Sequence, residues 1–155
     1  MGKETLIHAA LDGDIERVKM LLRLSVSTKI KDKDERTALQ WATVNGHTAV
    51  VKMLLGANAH VDAQDTYNGT TLYLAAEKGH TDVVMMLLGA NAHFDARDHS
   101  QRTALQWAAE KGHTDVVKVL LDAPQSKKLK FPTQTVDGAL ASSVRGSAGY
   151  IRGSQ

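Results

Sequence analysis

Thr103-Ala-Leu-Gln-Trp-Ala-Ala-Glu-Lys-Gly-His-Thr-Asp-Val-Val-Lys-Val-Leu-Leu121 reads as two short helices separated by a glycine stop. Thr103 can accept the free amides of a first helical turn, and Gln106, three residues on, completes a capping box. Gly112 supplies the left-handed residue that ends the helix. Thr114-Asp115 opens a second helix, the acid suited to its positive end. The same lettering returns upstream, because Thr37-Ala-Leu-Gln-Trp-Ala42, Thr70-Thr-Leu-Tyr-Leu-Ala75 and Thr103-Ala-Leu-Gln-Trp-Ala108 begin 33 residues apart each time. One further step back reaches Glu4-Thr-Leu-Ile-His-Ala9, which keeps Leu6, Ala9 and Gly13 in register. Four tiers result, 4–36, 37–69, 70–102 and 103–124, and the second and third are identical at 19 of 33 positions, far above chance at a fixed offset. A period of this length signals stacked supersecondary units.

Each tier is expected to hold a helix pair followed by an extended finger. Leu39, Ala42 and Thr43 fall at helical spacing, Gly46, Gly79 and Gly112 stop the first helix, and Val83, Val84, Leu87 and Leu88 stripe the second. Asn58 and Asn91 tolerate the next left-handed turn. One pair cannot bury both stripes, so neighbouring tiers must shield one another. The expected interior is a continuous layer of Leu54, Leu55, Leu87, Leu88, Leu120 and Leu121, with Trp41 and Trp107 packed in the column of Leu74, and Met53, Met85 and Met86 at or near the core.

Composition bounds the rest. With 43% apolar and 23% charged residues in 155, a soluble core is affordable and disorder throughout is excluded. No Cys is present, which removes disulfides and thiol chemistry and points to a reducing, intracellular setting. No apolar run approaches the roughly 20 residues of a membrane-spanning helix. Met1-Gly2-Lys3-Glu4-Thr5-Leu6 carries neither a signal-peptide core nor a myristoylation pattern.

At this density of motif the chain resembles the ankyrin repeat family, whose Thr-Pro-Leu-His-x-Ala-Ala-x-x-Gly-His-x-x-x-Val-x-x-Leu-Leu pattern is approximated by residues 103–121. The resemblance spans about residues 4–124 and implies an all-α solenoid with β-turn fingers. Departures are confined: the family's Pro is Ala38, Thr71 and Ala104, and its His is Gln40, Tyr73 and Gln106. The usual Gly of the finger turn is Glu35, Asn68 and Gln101, so those turns are expected to be looser or differently shaped, Asn68 least so.

Candidate chemistry is sparse. His47, His80 and His113 recur at the repeat period, but packed helices stand roughly 8–10 Å apart, too far for one ion needing nitrogens at about 2 Å. They read as structural turn histidines, as do His60 and His93; His99, unrepeated and in a finger, is the exception. Asp62, Asp65, Asp95 and Asp98 also recur and fit caps and turn acceptors. No nucleophile, base and orienter combine, so neither catalysis nor a cofactor or metal is expected.

The repeat also acts as its own control, because columns that vary between tiers are free of the stacking constraint. Variation gathers in the fingers and at the ends of the first helices. In the resemblance these columns line the concave face that grips a protein partner. The candidate contacts are Lys33, Asp34, Arg36, Val44, Asn45, Thr66, Tyr67, Glu77, Lys78, Arg97, His99, Ser100, Arg102, Glu110 and Lys111. Tyr67, Arg36, Arg97 and Arg102 are the expected hot spots, since aromatic and Arg side chains bury much surface for few lost rotamers. The reading is a monomeric, non-catalytic scaffold, adaptor or inhibitor of another protein. Residues 125–155 break the period and hold five cations against Asp137, net +4, while the rest of the chain is net −2. A basic tail of this kind, partly disordered or packed on the last tier, supports a second reading as a nucleic-acid-associated regulator.

Overall fold

The computed structural model describes residues 2–123, with side chains from Leu6 onward. Eight helices occur among these residues: α1 (Gly2–Asp12), α2 (Ile15–Arg23), α3 (Ala38–Val44), α4 (Thr48–Gly56), α5 (Thr71–Lys78), α6 (Thr81–Gly89), α7 (Ala104–Lys111) and α8 (Thr114–Asp122). The first helices of successive pairs, α1, α3, α5 and α7, pack in one row, and α2, α4 and α6 pack in a second. The fold is an all-α helical repeat. The basic tail of residues 125–155, expected to be partly disordered or packed on the last tier, lies outside the described residues.

Local sequence explains the helix ends. Thr37, Thr70 and Thr103 are extended N-caps whose hydroxyls accept the amides of Gln40, Tyr73 and Gln106. In the second and fourth pairs the Gln side chain returns the bond, completing the capping box. His47 and His80 precede α4 and α6 but make no side-chain cap. Their imidazoles instead reach the preceding tier. His47, His80 and His113 place Nε2 at 3.0, 3.0 and 2.9 Å from the carbonyls of Leu11, Val44 and Glu77. A carbonyl only accepts, so Nε2 carries the proton in each case.

The glycine before each of these contacts is doubly required. Gly13, Gly46 and Gly79 have φ of +71°, +69° and +75°, and a Cβ there would lie 2.7–2.9 Å from the histidine of the following tier. The left-handed turn and the nested ring together exclude any side chain.

The core runs unbroken through Leu6, Val18, Leu39, Val51, Leu54, Leu72, Val84, Leu87 and Leu120. Only the first Leu of each pair is fully inside. Leu55 and Leu88 are half-buried and Leu121 is 56% exposed, because in a helix adjacent residues point about 100° apart and the second Leu faces along the stack. The expectation of Trp in the core holds only in part: Leu74 is 1% exposed and Trp41 packs half-buried against the core, whereas Trp107 is half-buried and outside that cluster. Their polar N–H needs an acceptor, and the fingers supply it. Met53 and Met86 pack half-buried on the core, but Met85 is exposed in the column held elsewhere by Lys19, Lys52 and Lys118.

Candidate functional site

Each finger tip is a five-residue loop built on one aspartate. Asp32 Oδ1 accepts the amides of Asp34 (2.9 Å) and Arg36 (3.1 Å). Asp65 Oδ1 accepts those of Tyr67 (3.0 Å) and Gly69 (2.8 Å), and Asp98 Oδ1 those of Ser100 (2.9 Å) and Arg102 (3.0 Å). The backbone closes each loop, with the amides of Asp32, Asp65 and Asp98 donating to the carbonyls of Arg36, Gly69 and Arg102, all at 3.0 Å. Glu35, Asn68 and Gln101 take the left-handed position at φ of +61°, +62° and +66°. The turns expected to be looser or differently shaped are not loose. All three loops share one shape, and two carboxylate-bound amides on either side hold a non-glycine residue where it would otherwise be strained.

The second carboxylate oxygen anchors the tip to the helix behind it. Trp41 and Trp107 each donate their indole N–H to Oδ2 of Asp32 and Asp98 at 2.7 Å. Arg36 and Arg102 lie over the Trp41 and Trp107 rings at 4.8 and 5.0 Å from the ring centres, with Lys111 at 5.7 Å from the Trp107 centre. Burial raises the pKa of Asp32, but the Arg36 amide, the Trp41 indole and the Asp34 amide outweigh it and hold the carboxyl below the ordinary value of 3.8. Asp98 is lowered in the same way against its own burial by Arg102, Trp107, Ser100 and the charge of His99.

The middle finger solves the same problem with different residues. Leu74 offers no donor, and Asp65 Oδ2 is met by Arg36 Nε from the preceding finger at 3.2 Å. Gly69 replaces the Arg of the other two tips because a Cβ there would lie 2.7 Å from the Tyr73 ring. Tyr73 in turn packs edge-on against Trp107 with ring centres 5.6 Å apart. Burial, then the charges of Glu77, Asp98 and Asp65, push its phenol up to about 12.

Neighbouring tips are stitched into a ridge. The Thr66 amide and hydroxyl both donate to the Asp34 carbonyl (3.3 and 2.9 Å), and the His99 amide donates to the Tyr67 carbonyl at 3.0 Å. The Tyr67 and His99 rings meet at 5.5 Å. Tyr67 nonetheless stays 63% exposed. Lys31 reaches across to the Gln64 carbonyl at 2.9 Å.

The candidate contact residues divide accordingly. Lys33, Asp34, Thr66, Tyr67, Arg97, His99 and Ser100 are exposed on the three tips. Arg97 bonds the Gln101 carbonyl at 2.8 Å within its own loop. Arg36 is committed to Asp65 and Trp41, and Arg102 to Trp107 and an ion pair with Glu110. At the ends of the first helices, Lys78, Glu110 and Lys111 are exposed and Glu77 is half-buried. Asn45 donates to the Leu11 carbonyl at 3.0 Å, and Val44 is half-buried. Two organising residues escaped the sequence reading: Asp32, which stands 33 residues before Asp65 and was legible by the period alone, and Tyr73, whose placement in the Gln40 and Gln106 column was the available signal.

Among the described residues no cluster of three or more His, Asp or Glu could hold a metal ion, and no helix is long and apolar enough to cross a membrane.

A family model described as Ankyrin repeats (3 copies) matches residues 1–65 and again residues 57–130. No curated protein matches the chain. Ankyrin repeats are generally protein–protein interaction modules and typically non-catalytic. With the family pattern covering most of its length and the helix pairs stacked as that pattern requires, the chain belongs to the ankyrin repeat family.

Proposed function

We propose that this protein is a non-catalytic scaffold, adaptor or inhibitor that grips a protein partner with its finger tips and the ends of its first helices. The observation that carries the reading is Tyr67: a large aromatic side chain, 63% exposed, standing on a loop whose backbone is bonded on both sides to neighbouring loops. A rigid backbone beneath an exposed aromatic ring lowers the entropy lost on binding, and Tyr is a favoured hot-spot residue. His99 beside it, with Arg97 and Lys78, completes an exposed contact set. Arg36 and Arg102, tied to internal partners, support the ridge more than they offer themselves.

The reading is tested by parallel affinity capture with the wild-type chain and a Tyr67→Ala, Arg97→Ala double variant. The expected result is a partner retained by the wild type and weakened by about tenfold or more in the variant, with the urea midpoint unchanged. Equal recovery of every partner by both proteins would refute the finger-tip assignment.

A further inference from the structure

The last tier repeats a surface that is covered two tiers earlier. Thr37-Ala-Leu-Gln-Trp-Ala-Thr-Val-Asn-Gly-His-Thr-Ala-Val-Val-Lys-Met-Leu-Leu-Gly56 and Thr103-Ala-Leu-Gln-Trp-Ala-Ala-Glu-Lys-Gly-His-Thr-Asp-Val-Val-Lys-Val-Leu-Leu-Asp122 agree at 14 of 20 positions. Residues 57–89 sit on the first of these. Gln40 Nε2 donates to the carbonyls of Ala63 (2.9 Å) and Gly69 (3.3 Å), and the His80 ring lies against Gly46 with Nε2 on the Val44 carbonyl.

In the last tier the equivalent groups are prepared in the same geometry. Gln106 forms the same capping box with Thr103, yet its side chain is exposed and its amide nitrogen meets no acceptor among the described residues. Gly112 keeps the left-handed conformation at φ +77°, but no described atom lies within 4 Å of a Cβ placed there, where Gly13, Gly46 and Gly79 each hold a histidine ring. Leu121 is 56% exposed, whereas its counterparts Leu22, Leu55 and Leu88 are half-buried. Among the described residues, a notch, an amide without an acceptor and an exposed leucine thus coincide on the face that elsewhere receives the next helix pair.

We infer that this end of the stack is a docking face for a further ankyrin-type helix pair supplied by another polypeptide, with a histidine immediately before its second helix. The occupant follows from continuity with an interface the chain already builds three times, each with an imidazole nested on a glycine and bonded to a carbonyl of the preceding tier. The chain's own first tier does not meet the requirement. In the histidine column it carries Asp14, which caps its own helix through the Arg17 amide and has no proton for the Glu110 carbonyl.

The experiment uses the full chain and a fluorescent synthetic peptide of residues 57–89, the segment seated on the matching surface of the second tier. Saturable binding is expected. His80→Ala in the peptide should weaken it about fivefold, the worth of one lost hydrogen bond, and Leu121→Glu in the chain should weaken it at least as much with an unchanged urea midpoint, because that side chain is exposed. Tyr67→Ala should bind the peptide as the wild type does, which separates this face from the finger tips. No saturable binding up to about 1 mM peptide, or binding indifferent to both His80→Ala and Leu121→Glu, overturns the inference. So does head-to-tail self-association of the chain in sedimentation, since that would seat an Asp14 tier on the face.

Discussion

Replacing Arg36 by Ala should destabilise the stack far more than loss of an ordinary surface cation. Its guanidinium Nε meets Asp65 Oδ2 at 3.2 Å, with the Arg side chain 23% and the Asp side chain 3% exposed. Breaking a fully buried pair by removing one partner costs about 3–5 kcal/mol. Here Asp65 Oδ1 keeps the amides of Tyr67 and Gly69, and the partly exposed cation is already screened by water. About 2 kcal/mol is the reasonable remainder. Loss of the cation–π contact over Trp41 adds roughly 0.5 kcal/mol. By contrast the exposed Lys19–Glu16 pair, at 3.9 Å, should contribute close to nothing. Urea unfolding followed by circular dichroism at pH 7 reads the difference as a lower midpoint at constant slope. Asp65→Asn and the double variant close a mutant cycle, in which a coupling of about 1 kcal/mol or more is expected. An Arg36→Ala protein within about 0.5 kcal/mol of wild type, or a cycle with no coupling, would refute the claim that Arg36 replaces the missing indole donor at Leu74.

Two further outcomes follow from the same geometry. Asp32 and Asp98 are held below the ordinary carboxyl value of 3.8, so the unfolded chain takes up protons before the folded one does. Their contribution is complete above that value and is lost as pH falls below it; in Asp98→Asn the drop in urea midpoint between pH 6 and about pH 3 should be smaller than in wild type, and an identical drop would discount the Trp107–Asp98 pairing as its source. Thr43 Oγ1 is buried without a hydrogen-bond partner among the described residues, while the same column carries Ala76 and Ala109. Thr43→Val removes that unpaired hydroxyl at nearly constant shape and should raise stability by about 1 kcal/mol, visible as a higher melting temperature; a lower one would show that the hydroxyl is satisfied.

These contacts also mark where reading the chain as letters stops. Helix starts at Thr37 and Thr103 and the stops at Gly46, Gly79 and Gly112 depend on interactions within four residues, so periodicity and capping chemistry reveal them directly. Asp65 and Asp98 were legible as turn acceptors for the same reason, whereas Asp62 accepts the amide of His93, 31 residues away. What Gln40 does with its amide was not: the capping box is local, but the acceptors at Ala63 and Gly69 belong to a finger 23 and 29 residues away. Arg36 stood among the expected partner contacts because nothing nearby in sequence reveals Asp65 as its counter-ion.

The sequence by itself determined the repeat length, the helix pairs, the finger loops and membership of the ankyrin family, since each rests on a pattern copied every 33 residues. Only the tertiary structure decided which copies of a column are equivalent in use. Trp41 and Trp107 bond finger aspartates while Leu74 is buried, and Gly112 lacks the described histidine neighbour that Gly13, Gly46 and Gly79 have. The physical reason is that a side chain's burial and bonding depend on the tier beside it, and that neighbour's register and chemistry exist only once the stack has formed.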